Sequence, residues 1–253
     1  MIARLKLLRF MRAVFTGHIT TWRRDLANEE GWRCVCSVDY DRAMEHCAEA
    51  LRIDPNYALA YNTRAGAYTG KGQHHRAIED FDRAISLAPK DPLFLRNRAE
   101  SYGEIKDYDR AIADFSEVLL LDPNDARAFK GRGAAYCSKG ELDLALRDLD
   151  CAIRIDADYA QAIYDRGVAY FEKGLFDRAI REFDRDAFLR PKHARAFRNR
   201  GLCYASKGEF DRAIQDYNQA VALDPNDPVS FRLQGRLIRS TKLSESTTCI
   251  ILS

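Results

Sequence analysis

The stretch YDRAIADF, residues 108–115, decides the fold, because close copies of it recur along the chain. Steps of 34 residues from Tyr40 give YDRAMEHC, HHRAIEDF, YDRAIADF, LDLALRDL, FDRAIREF and FDRAIQDY, without insertion or deletion. A fixed period of this length is typical of repeat proteins, in which each unit contacts mainly its neighbours. The period therefore predicts an array of similar units instead of one compact core.

The composition narrows the classes of function. The 253 residues are 46% hydrophobic and 31% charged, and no apolar run approaches the length of a membrane span. Forty basic and 38 acidic side chains leave a formal charge of +2, which is too balanced for phosphate-backbone binding over the whole surface. We therefore expect no transmembrane segment and no nucleic-acid partner.

The seven cysteines favour a reducing compartment. Most of them, including Cys47 and Cys203, occupy positions where the repeat has a small or apolar residue, so reduced core thiols are favoured over disulfides. One group could be read as metal ligands, but its spacing does not match that of structural zinc sites: Cys34, Cys36, His46 and Cys47. We predict no metal site and no cofactor.

Residues 58–91 illustrate one unit, which is predicted to be a pair of short helices. Small or aromatic residues recur at helical spacing at positions 61, 65 and 68 and again at 77, 81 and 84. Between these two halves lies a residue that can adopt the left-handed conformation that ends a helix, Gly72, with equivalents Gly140, Gly174 and Gly208. The chain is expected to reverse there.

Proline closes the units. Asp-Pro-Asn begins at 54, 122 and 224, and proline disfavours helix continuation through the preceding residue. Asp91-Pro92 and Asp227-Pro228 place a capping acceptor before a proline at the first helical position. Each second helix also carries an aromatic residue four positions after an alanine, and burial of these rings should hold the units together: Phe81, Phe115, Phe183 and Tyr217.

Two units carry a fuller signature of aromatic, glycine, tyrosine, alanine and proline positions. Its residues are Phe129, Gly133, Tyr136, Gly140 and Ala145 in one unit, and Phe197, Gly201, Tyr204, Gly208, Ala213, Tyr217, Ala220 and Pro225 in the other. By these residues the chain resembles a tetratricopeptide-repeat protein. The resemblance implies an all-α, right-handed αα-superhelix, a solenoid of about six repeats.

The predicted repeats are 24–57, 58–91, 92–125, 126–159, 160–193 and 194–227, followed by a capping helix at 228–238. The array thus spans 24–238, and the first helix of its first repeat fits the pattern poorly. Residues 1–23 are predicted to form a basic amphipathic N-terminal arm, and 239–253 a weakly ordered tail.

Three residues depart from the pattern. Ala157 replaces the terminal proline, and Lys106 replaces the glycine of the turn. Asp186 stands where the other repeats have alanine or valine, and a buried unpaired aspartate would be costly. We expect a one-residue local shift that buries Ala187 instead.

Residues that recur in every unit are those that stacking requires, so specificity belongs to positions that vary. Arginines at 64, 98, 132, 166 and 200 recur together with acidic residues at 80, 114, 148, 182 and 216. We predict a ladder of ion pairs within or between repeats, although exposed pairs contribute only about 0–1 kcal/mol each. YDRAIADF is then scaffold, and its aspartates are not catalytic.

The variable positions predict a binding surface. Residues 59, 62, 66 and 69 lie opposite the buried face of their helix, and the resemblance implies that this side lines a concave ligand groove. Leu93, Gln161 and Asp165 lie on the same side. The equivalent positions predict a basic, partly amide-lined peptide-binding groove: Arg96, Asn97, Arg127, Lys130, Tyr164, Arg195, Arg198, Asn199 and Arg232.

Such a groove suits an extended acidic peptide or a C-terminal carboxylate, since arginine binds carboxylates bidentately and asparagine bonds peptide backbone. We predict a non-catalytic scaffold or adaptor for a protein or peptide partner. The chain has no Gly-rich phosphate loop, no H-E-x-x-H and no G-x-S-x-G. Three alternatives are open: solvated helix faces, a regulatory or substrate-recruiting subunit of an enzyme complex and, less favoured, an RNA-binding array.

The N-terminal segment has three interpretations. Residues 1–24 hold six basic residues and no acidic one, with apolar side chains at helical spacing. A helix or arm that covers the first repeat is favoured, an organelle-targeting presequence comes second, and contact with a membrane surface is third. We expect cytoplasmic localisation, with targeting through this segment as the alternative.

Overall fold

The computed structural model describes residues 20–237 and 239, and every regular element in them is an α-helix. The described part of α1 covers 20–36, and that of α13 covers 228–237. The helices between them are α2 (Tyr40–Ile53), α3 (Ala58–Gly70), α4 (His74–Leu87), α5 (Pro92–Glu104), α6 (Tyr108–Leu121), α7 (Ala126–Ser138), α8 (Leu142–Ile155), α9 (Ala160–Glu172), α10 (Phe176–Leu189), α11 (Ala194–Ser206) and α12 (Phe210–Leu223). The expectations for 1–19, 238 and 240–253 lie outside the described residues.

The predicted all-α fold and helix pairs are confirmed. From α2 to α12, second helices of 14 residues alternate with first helices of 13 residues. The chain divides into two compact units, 1–123 with α1–α6 and 124–253 with α7–α13. Within each unit the second helix of one pair packs on the first helix of the next, as α4 does on α5 and α10 on α11.

The turn between the two helices of a pair has the same backbone conformation throughout. The predicted glycines have positive φ, from 71° at Gly72 to 80° at Gly208. The equivalent residues Val38 and Lys106 also have positive φ, 65° and 64°. The repeat therefore imposes the left-handed conformation even where the residue has a side chain, and that conformation is unfavourable for valine above all.

The predicted start of α5 at Asp91-Pro92 is confirmed, whereas the predicted boundary between residues 23 and 24 falls inside α1. Pro92 is at the start of α5, where the Asp91 carboxylate accepts a hydrogen bond from the backbone N–H of Leu93 at 3.0 Å. In the repeat that has Ala157 in place of proline, α8 still ends at Ile155, the position equivalent to the last residue of the other second helices. The missing proline is therefore not needed to end that helix.

The aromatic residues of the second helices form the core contacts. Phe81, Phe115, Phe183 and Tyr217 are buried, as are the alanines four residues before them. Each ring contributes roughly 1.5–3 kcal/mol when fully buried. A Cβ on Gly201 would lie 2.8 Å from the Tyr217 ring, so glycine is required for this close approach.

The cysteine prediction holds at two positions and fails at one. Cys47 and Cys203 are buried, and burial raises the pKa of each thiol to about 12. Cys36 is exposed, at the end of α1. It is therefore not a core thiol.

The predicted ion-pair ladder is present, and in four pairs both carboxylate oxygens accept hydrogen bonds from the guanidinium at 2.6–2.9 Å. These four pairs are not surface pairs, because their aspartates are at most 8% exposed. In these four pairs an arginine of the first helix therefore binds a buried carboxylate of the second helix of the same repeat. The pairs are Arg64–Asp80, Arg98–Asp114, Arg132–Asp148, Arg166–Glu182 and Arg200–Asp216.

Some of these arginines also bind the preceding repeat. Arg98 reaches Asp82 at 2.6 Å and Arg200 reaches Asp184 at 2.6 Å, each 16 residues back along the chain. Arg166 binds Asp150 in the same way, at 2.7 Å. One guanidinium therefore ties three helices of two successive repeats together.

The expected shift at Asp186 is wrong. α10 keeps the 14-residue length of the other second helices, and Asp186 is fully buried whereas Ala187 is half-buried. The buried carboxylate is tolerated because it is paired: it accepts a hydrogen bond from Arg190 Nε at 2.7 Å, and His193 Nδ1 lies 2.6 Å away. These two partners offset the cost of burying the charge.

The burial of the ladder can be tested with Arg132→Leu and Asp148→Leu, singly and together. Each single variant leaves one charge without its bidentate partner, so each should lose about 3 kcal/mol of unfolding free energy in urea denaturation. The double variant should lose less than the sum, with a coupling of about 1–3 kcal/mol. Arg147→Leu, at an exposed position, is the control and should change little. Additive losses would show that the pair does not stabilise the fold.

The left-handed turn can be tested with Val38→Gly and Lys106→Gly. Both should raise the free energy of unfolding by about 1 kcal/mol, because glycine avoids the steric cost of positive φ. Gly140→Ala is the reciprocal control: the added Cβ meets no neighbouring atom within 4 Å, so the loss comes from the backbone alone. Glycine variants that are less stable than the wild type would contradict the assigned turn conformation.

Candidate functional site

The first helices of the unit 124–253 lie side by side, α7 against α9 and α9 against α11. On α7, residues 127, 130, 134 and 138 share one face, because their spacings are three or four residues. The same face of α9 carries Tyr164, and that of α11 carries Arg195, Arg198 and Asn199. We call this surface the first-helix face.

Hydrogen bonds and charges link these residues across the helices. Asn199 Nδ2 donates to the Tyr164 hydroxyl at 2.9 Å, which joins α11 to α9. Lys130 Nζ lies 3.7 Å from Asp165 Oδ2, which joins α7 to α9. Burial raises the pKa of Tyr164, and the positive charges of Arg198 and Arg195 oppose that rise. Among the sequence-predicted residues of this unit, Tyr164 thus contacts Asn199 and lies near the charges of Arg195 and Arg198.

One of the predicted basic residues has a structural role. Arg198 Nη1 donates to Asp227 Oδ2 at 2.8 Å. Asp227 also accepts hydrogen bonds from the Ser230 hydroxyl at 2.6 Å and the Val229 backbone N–H at 3.0 Å, so it caps the start of α13. The hydrogen bond from Ser230, together with those from Val229 and Arg198, lowers the pKa of Asp227 to about 2. Arg198 therefore fixes the position of α13.

Three predicted arginines remain available. Arg127, Arg195 and Arg232 are exposed, and within the described residues no carboxylate lies at ion-pair distance from any of them. Lys130 Nζ lies 3.7 Å from Asp165, and Arg198 is hydrogen-bonded to Asp227 at 2.8 Å, so both already have an acidic neighbour. The positive charge open to a ligand is thus carried by a subset of the predicted residues.

The predicted residues Arg96 and Asn97 lie on α5, in the unit 1–123. Asn97 Nδ2 donates to Asn62 Oδ1 of α3 at 2.8 Å. Asn62 is buried, although the helical projection puts it on the open side. The first helices of this unit are thus joined by an amide pair.

A cavity of about 310 Å³ opens between α7 and α9. Its lining from α7 is Ala134, Cys137 and Ser138, and its lining from α9 is Tyr164, Asp165, Val168 and Glu172. Burial raises the pKa of Asp165 to about 6, with Lys130 and Arg190 opposing the rise and Asp186 adding to it. The sequence feature that marks this site is Asp165, because the equivalent positions 97 and 199 in other repeats have asparagine.

Two further findings concern the described residues alone. They contain no group of three or more His, Cys, Asp or Glu side chains that could hold a metal ion. None of their helices combines the length and the apolar character needed to cross a bilayer.

Family models identify the repeat. Models described as tetratricopeptide repeat match 58–91, 92–125 and 164–228, and one described as TPR repeat matches 133–174. Together they cover more than half of the chain, which belongs to the tetratricopeptide-repeat family. The search of curated proteins gave no match to this sequence.

Solved structures share the fold at low sequence identity. A chain of the APC/C hetero-tetramer Cut9-Hcn1 aligns with a TM-score of 0.77 and 18% identity over 85% of this chain, and this chain spans 42% of its length. PilF of Pseudomonas aeruginosa aligns with a TM-score of 0.74 and 18% identity over 86% of this chain and 99% of its own. YrrB, described as a TPR protein with an unusual peptide-binding site, has a TM-score of 0.58 and 21% identity, with 75% and 97% covered.

The raised pKa of Asp165 can be tested with Asp165→Asn. Because burial raises the pKa of Asp165 from its ordinary value of 3.8 to about 6 in the folded protein, the wild type loses stability as pH rises through this window. The asparagine variant should therefore be about 1–2 kcal/mol more stable than the wild type at about pH 7.5, and nearly equal to it at about pH 4. Urea denaturation at both pH values measures the difference.

The matched control is Asp211→Asn, which removes an exposed carboxylate on α12. Because Asp211 is exposed and lies in the first turn of α12, its replacement should bring no gain in stability at about pH 7.5. If Asp165→Asn likewise gains no stability at about pH 7.5, burial does not raise the pKa of Asp165.

Proposed function

We propose that the protein is a non-catalytic scaffold or adaptor that binds an extended acidic peptide along the first-helix face of α7, α9 and α11, continued by Arg232 on α13. The observation that carries this proposal is the set of exposed arginines without an acidic partner in the described chain: Arg127, Arg195 and Arg232. Residues used for stacking recur in every repeat, and these arginines do not.

The chemistry of the face suits a carboxylate-bearing peptide. Each free guanidinium can bind a carboxylate through two parallel hydrogen bonds, which gives orientation as well as affinity. Asn199, already positioned by the Tyr164 hydroxyl, presents amide groups of the kind that bond an extended peptide backbone. The acidic side chains of the peptide would therefore bind the arginines, and its backbone would bind the Asn199 amide.

The comparisons support a binding role. YrrB, which has the same fold, is described as having a peptide-binding site, and repeat arrays present long surfaces for partners. Fold does not fix function, so the assignment depends on the side chains of this face. An adaptor and a recruiting subunit of an enzyme complex would use the same face, because both roles need peptide binding alone.

The proposal can be tested by selection from a displayed library of random peptides. The wild type should enrich peptides rich in aspartate and glutamate. The triple variant Arg127→Glu/Arg195→Glu/Arg232→Glu should bind the selected peptides at least about tenfold more weakly, because each replaced arginine changes attraction into repulsion.

The matched control is Arg147→Glu/Arg154→Glu/Arg181→Glu, which makes the same charge change at exposed positions of α8 and α10. It should keep the wild-type affinity. Equal affinities for all three proteins would mean that the arginines of the first-helix face are solvated charges without a ligand.

A further inference from the structure

The cavity between α7 and α9 combines uncharged walls with two carboxylates. Ala134, Cys137 and Val168 form the walls, and burial raises the pKa of the Cys137 thiol to about 12, so it stays protonated. Asp165 and Glu172 supply the acidic groups. Such a lining differs from the arginine-bearing surface beside it.

Small side chains keep the cavity open. The residues one repeat later, at the positions of Cys137 and Val168, are Phe171 and Leu202. Both of these pack against the buried cluster of α10, α11 and α12. Larger side chains thus occupy the equivalent positions between α9 and α11, whereas Ala134 and Cys137 leave room between α7 and α9.

The carboxylates of the cavity have weaker contacts with positive charges than the carboxylates of the ladder have. The 3.7 Å separation of Lys130 and Asp165 is longer than the 2.6–2.9 Å contacts of the buried ladder. Side-chain exposure of Asp165 is 22%, and this carboxylate lines the cavity. Glu172 is exposed, and no cation of the described chain lies at ion-pair distance from it. An added positive charge would therefore be stabilised here.

We propose that this cavity receives one lysine or arginine side chain of the bound peptide. Its methylene groups would pack between Ala134, Cys137 and Val168, and its charged end would reach Asp165 and Glu172. Long basic side chains combine an apolar stem with a charged head, which matches this lining. A cavity of about 310 Å³ holds one such side chain and no folded element.

The inference rests on the proposed function and narrows its ligand. The preferred peptide is acidic but carries one basic residue at a fixed position. A carboxylate placed at this cavity would meet Asp165 and Glu172 and be repelled, so a uniformly acidic peptide binds less well. The pocket thus selects the register of the peptide along the first-helix face.

The test repeats the peptide selection with Asp165→Asn. This variant carries the residue that positions 97 and 199 already have, so the fold tolerates it, and Asp211→Asn is the charge-matched control. The wild type and the control should enrich acidic peptides with one lysine or arginine at a constant position. Asp165→Asn should enrich acidic peptides without that residue, and should bind a wild-type-selected peptide at least about tenfold more weakly.

A second measurement uses n-butylammonium as the probe, with n-butanol as the uncharged control. The carboxyl carbon of Asp165, followed by NMR in the full chain, should titrate at lower pH when n-butylammonium is added, and should not respond to n-butanol. If the wild type enriches acidic peptides that have no basic residue at a fixed position, the cavity does not receive a lysine or arginine side chain. The proposed function is unaffected by that result. A wild type that enriches no acidic peptide overturns the proposed function, and the pocket then fails if the titration of Asp165 does not move.

Discussion

The buried pairing of an arginine with a carboxylate sixteen residues later is the interaction on which the rest of the structure depends. In Arg98, Arg166 and Arg200 the same guanidinium also reaches the preceding repeat. A carboxylate so deeply buried is tolerated only with its partner in place, so the pair fixes how two helices meet. The buried aromatic residues of the second helices stabilise the same helix pairs through apolar contacts.

This pairing separates the positions that build the fold from the positions that can differ between repeats. Residues that meet a neighbour in every repeat vary only within narrow limits, as Glu182 does in place of aspartate. The first-helix face is left free to differ from repeat to repeat, which is why an aspartate can replace asparagine at 165 and a lysine can alternate with arginine at 130 and 198. The face also stabilises the fold in places, because Arg198 holds the capping carboxylate of α13. At least one predicted residue of this surface, Arg198, is therefore used by the fold itself.

The periodic features of the structure could be predicted from the sequence, and the aperiodic ones could not. The helix pairs, the turn glycines, the capping at Asp91 and the ladder all follow from residues that recur at a constant spacing. Asp186 was misread because its partners, Arg190 and His193, occur in a single repeat and meet it only once α10 and the following turn are folded. The pairing of Lys130 with Asp165 joins two neighbouring first helices, so it depends on packing that periodicity does not describe. The sequence thus indicates a helix face for these residues, but it does not reveal that Lys130 and Arg198 have acidic partners in the folded chain.

The central claim is that recurring residues build the array while the variable first-helix face binds the ligand. A crystal structure of the chain with a selected peptide tests this most directly. The account predicts an extended peptide that crosses α7, α9 and α11, with its carboxylates on the guanidinium groups of Arg127 and Arg195. A peptide bound instead to the outer sides of α8, α10 and α12 would contradict it.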